Sequence, residues 1–359
     1  MDMQPFGAAS GDESGWLDRE SVSALRAVIP STMPSASAAL YARWWQLETW
    51  LRELVYVELR SLYGQRWSSA VSPVDARLKQ DAAFSHMSGP DNDNPLAYLD
   101  YSQLLALIDA QWEQLGYALL ERRAWDGRQE ELKRIRHRIG HMRKPHADDL
   151  NRLEQTLRDL ERGTYIALAS YNERGVDDET RTDPVTLSWI RGLHPTAQRL
   201  TMHARRQYET HLIVNASRRP WASIPSDLAG APGILWHADF ILRGRTIDAA
   251  ALWHDSAMEK ARPLIVHMLA DYPGRVGFTF SAVDEPSAVA DAIGEIFDAV
   301  LMVARPGGLD FEDQAAWQRR VRAVDYRVLS GSGWSIVDES TLPFTSFSAG
   351  GGVKSKPDW

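Results

Sequence analysis

The chain has 359 residues, a formal net charge of −8 and no cysteine. This length exceeds what one typical hydrophobic core needs, so we expect two domains plus tails. The lack of cysteine excludes disulfides, thiolate nucleophiles and cysteine-type zinc sites. No apolar run approaches the roughly 20 residues that span a bilayer, and no signal peptide opens the sequence, so we expect a cytoplasmic protein without membrane contact.

The first part of the chain has the pattern of a helical bundle behind a tail. Residues 1–35 are rich in Gly, Ser, Pro and Ala, which predicts a flexible tail. From residue 36 onward, apolar residues recur at spacings of three and four, the stripe of amphipathic helices. We expect helices over about 36–64, 98–123, 126–144 and 146–171. Because no strand-like run separates them, residues 36–172 are predicted to form an all-α bundle.

The second part of the chain mixes strand-like and helical patterns. A polar connection over 173–184 leads into it. Strand-like runs lie at 211–216, 233–242, 275–280 and 334–339, and helical patterns lie at 248–270 and 287–303. This pattern predicts a smaller α/β or α+β domain of unknown role over 173–345, followed by a flexible tail over 346–359. The predicted fold class of the whole chain is α+β.

One short segment is strongly basic. Residues 134–146, RIRHRIGHMRKPH, hold five lysines or arginines, three histidines and no acidic residue. From Arg122 to Lys144 there are nine basic and three acidic residues, whereas each half of the chain carries a net charge of −4. A contact with nucleic acid is therefore expected to be local. Ile135, Ile139 and Met142 mark the predicted buried face of this helix.

Three interpretations of the basic segment compete. A solvated basic helix face is the usual meaning of a charge run. A metal site is the second interpretation, because His137 and His141 stand at i, i+4 with His146 nearby. The segment supplies no acidic partner, and its five cations would repel a metal ion. We therefore expect neither a metal nor another cofactor.

The third interpretation is RNA cleavage. Without a metal, this reaction needs a base for the 2′-hydroxyl, an acid for the leaving oxygen and a cation for the phosphorane. Histidine can take both proton roles near neutrality, and arginine is a permanent bidentate phosphate ligand. Arg136 and His141 stand five residues apart, an offset of roughly 140° on a regular helix. Gly140 could open this last turn or admit a second backbone.

The hexapeptide Arg136-His137-Arg138-Ile139-Gly140-His141 resembles the motif of the HEPN superfamily. Ribonucleases of this superfamily carry an Arg, a polar residue, three further residues and a His. Residues 39–67 and 101–119 are similar to the first two helices of its Swt-type branch, including the pair Glu48 and Arg52. The resemblance covers about residues 36–171 and leaves the second half of the chain unaccounted for.

This resemblance implies a bundle that dimerises through the motif helices, so that two Arg–His pairs form one composite site. The implied reaction is metal-independent attack by the 2′-hydroxyl, which leaves a 2′,3′-cyclic phosphate and a 5′-hydroxyl. Its residues would be Arg136, His141 and His137 in catalysis, Arg138, Arg143 and Lys144 in substrate binding, and Glu48 and Arg52 in support. An alternative leaves the dimer unnecessary, because His137 could be the second imidazole within a monomer.

Many members of this superfamily act in toxin–antitoxin or antiphage systems, so the resemblance implies RNA as substrate and an antitoxin or defence protein as a possible partner. One toxin branch carries an adenylylated tyrosine two residues after the motif histidine. Here that position is Arg143, so silencing by this route is not expected. The rival expectation is a catalytically silent HEPN module that binds RNA or acts as a scaffold.

Two further groups have competing interpretations. Glu48 and Arg52 form either a helix-surface ion pair worth a few tenths of a kcal/mol or, if the bundle buries them, a support for the motif side chains. The run Arg218-Arg219-Pro220-Trp221 is a candidate for a base or phosphate contact, although most such clusters are ordinary surface.

Overall fold

The computed structural model describes residues 35–71, 74–83, 93–173, 182–307, 317, 320–321 and 324–330. The fold combines α-helices with β-sheet, in agreement with the predicted α+β class. The two predicted tails, except Ser35, and the strand-like run 334–339 lie outside the described residues. Within those residues, no helix has both the length and the apolar character that crossing a bilayer requires.

Up to residue 173, the described residues form helices and the segments that connect them, without a β-strand. The α-helices are α1 Ser35–Tyr63, α2 Asp75–Ala82, α3 Tyr101–Ala110, α4 Trp112–Leu115, α5 Arg122–Gly140 and α6 Asp149–Asn172. Short 3₁₀ turns lie at Gly64–Ala70, Pro95–Tyr98 and Gly116–Ala118. The expected helix over 98–123 is therefore broken into two helices and a 3₁₀ turn. Its start is fixed by Asp100, which forms a capping box with Gln103.

Two of these helices form an antiparallel hairpin that carries the basic segment. Arg128 of α5 pairs with Asp159 of α6 at 3.0 Å, and Arg138 pairs with Asp149 at the other end. Gly163 of α6 lies against the backbone of the 3₁₀ turn that precedes α5, so closely that a Cβ there would overlap the carbonyl oxygen of Ala118. The hairpin is thus packed against its neighbours without space for a side chain at this glycine.

A five-stranded sheet occupies the second half. Its strands are β1 Thr210–Arg218, β2 Ile234–Leu242, β4 Ile265–Tyr272, β5 Arg275–Ser281 and β7 Val328–Leu329. They lie in the order β1-β2-β5-β4-β7, and all neighbours are antiparallel except β4 and β7. A separate two-stranded ribbon joins β3 Arg245–Thr246 to β6 Arg305–Pro306. Between residues 182 and 307, all of which are described, the α-helices are α7 Ala197–His203, α8 Ala249–Trp253 and α9 Pro286–Val303.

The predicted strands within the described residues match β1, β2 and β5, and the helical pattern at 287–303 matches α9. The helical prediction over 248–270 is wrong in its second part, which forms β4. Only α8 and a 3₁₀ turn are helical there. The run from Ile265 to Ala270 is buried on both faces, so it lacks the alternation that marks a half-buried strand.

The sheet lies between the helical bundle and α9. On one face, Phe240 of β2 packs against Phe297 of α9, with ring centroids 5.3 Å apart. On the other face, the side chains that join the apolar cluster of the bundle are Leu235, Val266, Leu269 and Leu329. The two halves therefore pack against each other through a shared apolar layer.

A buried ion pair also joins the two halves. Arg219, at the end of β1, donates from Nε and Nη2 to Oε1 of Glu58 on α1, at 2.9 and 2.7 Å. Tyr117 donates to the same oxygen, and Trp221 donates to Oε2. Burial alone would lower the pKa of Arg219, but the Glu58 carboxylate and Tyr117 hold it above its usual value.

This arrangement corrects the expectation of a base or phosphate contact at Arg219. The side chains of Arg219 and Glu58 are 0% and 1% exposed, so no ligand can reach the guanidinium. The polar groups of both residues are satisfied inside the fold, since a buried charge requires a partner. The sequence pattern could not reveal this, because Glu58 lies 161 residues away on another helix.

Candidate functional site

The basic segment forms the C-terminal half of α5 and the turn that follows. Glu121 caps the start of α5 by accepting hydrogen bonds from the backbone N–H groups of residues 123 and 124. Leu132 and Ile135 are buried in the bundle core, whereas Arg136 and His137 are exposed. The helix is therefore amphipathic, and its polar face presents the predicted catalytic residues to solvent.

The helix ends at Gly140 in a Schellman motif. The N–H of Arg143 donates to the carbonyl of Arg138 at 2.9 Å, and the N–H of Met142 donates to that of Ile139 at 3.1 Å. Met142 takes the left-handed conformation with φ of 51°, which costs a non-glycine residue about 1–2 kcal/mol. The expectation that Met142 is buried is wrong: it is 88% exposed, because the helix stops two residues before it.

The structure brings the motif side chains together. The imidazole rings of His137 and His141 are in contact, with centroids 4.4 Å apart and planes at 66°. Nη1 of Arg136 lies 3.9 Å from the position that a Cβ on Gly140 would take, so the guanidinium lies beside the last turn of the helix. All three side chains are exposed. No contact from another element of the described chain covers Gly140.

A surface cavity of about 580 Å³ adjoins His137, whereas Arg136 and His141 do not line it. It is lined by Glu130, Lys133, Arg134, His137, Arg138, Arg143, Lys144 and His146. The pKa of His137 is lowered, first because neighbouring atoms displace part of its solvent and then because His141, Arg143 and Arg136 add positive charge. One carboxylate among five cations leaves the lining basic, which suits an anionic ligand.

The three expected substrate-binding residues differ in their environment. Arg138 forms a bidentate ion pair with Asp149, whose Oδ2 also accepts the backbone N–H of His146 at 2.9 Å. Burial would raise the pKa of Asp149, but these partners lower it. Arg138 thus fixes the turn between α5 and α6. Within the described chain, Arg143 and Lys144 are exposed and make no ion pair, so they remain accessible to a ligand.

The supporting pair expected at the motif lies elsewhere in the bundle. Glu48 accepts hydrogen bonds from Arg52 and from the indole of Trp44, both at 2.7 Å. Arg52 also donates to the carbonyls of Leu96 and Leu99. The pair therefore fastens α1 to the segment before α3, and its contacts lead to scaffold residues rather than to the motif.

Sequence reasoning missed a buried polar chain between α6 and the sheet. Tyr171 of α6 lies within hydrogen-bonding distance of His267 and Thr279, at 3.0 and 2.7 Å. Thr279 contacts His237, which contacts Ser217 at 2.6 Å. Burial, with Arg60 and Arg327 nearby, lowers the pKa of His267 to about 3.

Strand register produces this chain, because residue 279 pairs with both residue 237 and residue 267 across neighbouring strands. No spacing within the sequence shows such a register. All five side chains are buried and bonded to one another, so we assign this chain of contacts to the scaffold.

Comparisons of the chain with protein-family models, with curated proteins and with solved structures find no match. Within the described residues, no group of three or more His, Asp or Glu side chains is arranged to hold a metal ion. The functional argument therefore depends on the geometry and charge at the end of α5.

Proposed function

We propose that the chain is a metal-independent endoribonuclease whose site is the exposed end of α5. One observation carries the proposal: imidazoles stand beside a guanidinium that makes no ion pair within the described residues, at the exposed end of a basic helix. These are the groups that acid–base cleavage of a ribose phosphate requires. The resemblance of the hexapeptide to the HEPN motif supports the same reaction.

The proposed reaction assigns one role to each group. An imidazole takes the proton of the 2′-hydroxyl, the 2′-oxygen bonds to phosphorus, and the bond from phosphorus to the 5′-oxygen breaks. A second imidazole gives that oxygen a proton, so the products are a 2′,3′-cyclic phosphate and a 5′-hydroxyl. Arg136 binds the non-bridging oxygens, whose charge grows in the transition state. Arg143 and Lys144 bind the adjoining phosphates.

The distance between the two imidazoles favours a site shared by two protomers. The attacking and leaving oxygens lie in line on opposite sides of phosphorus, and each catalytic nitrogen must come within about 3 Å of its oxygen. Rings whose centroids are 4.4 Å apart touch each other and leave no room for a phosphate between them. In a twofold-symmetric dimer, the His141 side chains of the two protomers supply two separated imidazoles. No further catalytic residue is then needed, because both protomers present the same surface to each other.

Incubation of the full chain with total RNA in excess chelator tests the proposal. We expect cleavage that yields 5′-hydroxyl and cyclic-phosphate ends, and loss of cleavage in His141→Ala. The matched control is His203→Ala, because His203 is also an exposed histidine but lies on α7. Equal cleavage by wild type and His141→Ala would refute the assignment of the site.

A second candidate function is RNA binding or scaffolding without catalysis. The basic lining of the cavity favours it, since such a surface binds phosphates whether or not it breaks them. The same incubation separates the two functions: a retained complex without products supports this candidate.

A role as a toxin or antiphage effector, with an antitoxin or another defence protein as partner, belongs to the ribonuclease proposal. Induced expression of the chain in bacteria is expected to arrest growth, and His141→Ala is expected to relieve the arrest. Arrest that persists in the variant would argue against toxicity through RNA cleavage.

A further inference from the structure

Five arginines from three separate segments come together at the N-terminal end of β1. The segments are residues 203–209, which lead into β1, residues 243–246 after β2, and residues 305–306 of β6. They are in contact, because the N–H of Arg243 donates to the carbonyl of Glu209 at 3.4 Å and because β3 pairs with β6. We call this region the arginine surface, and its members are Arg205, Arg206, Arg243, Arg245 and Arg305.

The arginine surface is accessible to a ligand and holds little opposing charge. Its arginines are exposed except Arg245, which is half-buried, and its three segments contain one carboxylate, that of Glu209. The chain as a whole has 48 acidic and 40 basic side chains, so this local excess of positive charge does not follow from composition. A surface of this kind attracts anions.

Ion pairing distinguishes these arginines from others at the surface of the molecule. Within the part of the chain that the structure describes, none of the five forms an ion pair, and Arg305 donates one hydrogen bond to the carbonyl of Met302. In the helical bundle, exposed arginines do have carboxylate partners, as seen for Arg77, Arg122 and Arg158. The guanidiniums of the arginine surface therefore keep donors that a phosphate can accept.

The side chain of Arg245 is held in place by an aromatic ring. Its guanidinium carbon lies over the ring of Tyr208, 4.5 Å from the centroid. This cation–π contact restrains the guanidinium without using an N–H group as a donor to oxygen. Because the cation is already restrained, it loses less freedom when it binds a phosphate.

The backbone that carries Arg205 and Arg206 departs from a regular helix. After α7 the chain forms a π turn over Ala204–Tyr208, and Glu209 then takes the left-handed conformation with φ of 49°. Ala204 is buried in the core beside the sheet, whereas the next three residues are exposed. The turn thus presents both arginines to solvent at the start of β1, and π turns are frequent at functional sites.

We propose that the arginine surface binds the phosphates of single-stranded RNA outside the cleavage site. One small anion engages one or two guanidiniums, whereas a polymer of phosphates engages several at once. Tyr208 and the planar guanidiniums also provide stacking partners for unpaired bases. The arginine surface shares no residue with the cavity beside α5. This inference deepens the proposed function, on which it rests for the identity of the ligand.

Fluorescence anisotropy on the full chain tests the inference with a labelled RNA of about 30 nucleotides, long enough for many phosphate contacts. Its 2′-hydroxyls are methylated, so that it cannot be cleaved. The test variant is Arg205→Gln/Arg206→Gln/Arg243→Gln, in which all three side chains are exposed. We expect the affinity to fall by about tenfold or more. The slope of log affinity against log salt should fall by about 2, since each phosphate contact on a single strand contributes about 0.7.

A matched control variant removes the same number of exposed charges from the bundle. It is Arg77→Gln/Arg122→Gln/Arg158→Gln, whose three arginines are paired with carboxylates. This variant should bind the methylated RNA as the wild type does. The inference is overturned if the test variant keeps the wild-type affinity and salt slope, or if the control variant loses as much affinity. Binding to vesicles that contain phosphatidylserine, with none to RNA, would also overturn it.

Because the methylated RNA cannot be cleaved, this measurement is separate from the test of the ribonuclease. Cleavage of total RNA by the wild type, with unchanged binding in the test variant, would refute the arginine surface alone. Lack of cleavage by the wild type, with lost binding in the test variant, would refute the ribonuclease and support the arginine surface.

Discussion

Arg219 and Arg136 carry the same charge in opposite environments. Arg219 is fully buried at the junction of bundle and sheet, where Glu58, Tyr117 and neighbouring oxygens accept its hydrogen bonds. Arg136 is exposed at the end of α5, beside two histidines and other cations, and makes no ion pair within the described chain. The first arginine stabilises the fold, and the second is available to a ligand.

This difference gives a physical criterion for separating structural from functional charges. A buried charge is tolerated only with partners that replace water. Its removal therefore leaves the partner buried without compensation and lowers the stability of the fold. An exposed cation among like charges contributes little to stability, and its removal is expected to affect ligand binding instead. The two regions should therefore respond to mutation in different measurements.

The largest expected effect on stability follows Arg219→Met. This change leaves the Glu58 carboxylate buried without its cation and is expected to destabilise the chain by about 3–5 kcal/mol. Urea denaturation measures the loss. The double variant Glu58→Leu/Arg219→Met removes both charges and should recover part of it, although Tyr117 and Trp221 then lose their acceptor. A single variant as stable as the wild type would contradict a stabilising role for the pair.

The sequence predicted the helical first half because α1, α5 and α6 have strong apolar periodicity over long segments. It also predicted β1, β2 and β5, but not β4, whose residues are buried on both faces and therefore do not alternate. A local sequence pattern shows the period of a helix or strand, but it does not show which distant residues that element contacts.

The same limit applies to the sites. The proposed catalytic motif is contiguous, so its residues could be named from the sequence. Arg219 was misjudged because its partner Glu58 lies far away in the chain. The sequence also predicted that α5 continues through Met142. The helix ends earlier, in a Schellman turn that forms before Pro145 and has Met142 instead of a glycine at the left-handed position.

The same Gly→Ala substitution at two positions compares the buried region with the end of α5. Gly163→Ala places a methyl group against the carbonyl oxygen of Ala118 and should destabilise the chain by about 1–3 kcal/mol or more. Gly140→Ala meets nothing closer than Nη1 of Arg136, so we expect a gain of up to about 1 kcal/mol from the reduced freedom of the unfolded chain. Thermal melts compare the two. A loss at residue 140 as large as that at residue 163 would show that the motif turn is packed as tightly as the core.

Histidine titration gives the smallest effect and the finest comparison. His267 should stay neutral down to a pH of about 3, whereas His137 should titrate below its ordinary value of about 6.5. Arg143→Gln removes one of the cations beside His137 and should raise its pKa, but it should leave His267 unchanged. NMR chemical shifts of the imidazoles follow both groups. An unchanged His137 in this variant would mean that the cations around the motif do not act on it.

The same titration has a consequence for stability. The folded pKa of His267 is depressed, so between pH 6.5 and 3 the unfolded chain binds a proton that the native chain does not. Stability should therefore fall as the pH is lowered through this window, and His267→Gln should weaken that dependence. His137, whose pKa is also lowered, contributes in the same direction, so His267→Gln separates the share of the buried region.

The central claim is that the end of α5 cleaves RNA, and the most direct measurement is the cleavage rate of four purified variants in chelator, with thermal melts beside it. His141→Ala should lower the rate by about 10²–10⁴-fold and Arg136→Ala by about 10²–10³-fold. His137→Ala should have a milder effect, and His146→Ala the least, because His146 lies beyond the helix at the start of the next turn. All four variants should melt like the wild type, since their side chains are exposed. If His141→Ala cuts RNA as fast as the wild type, this account of the function is contradicted, whatever the melts show.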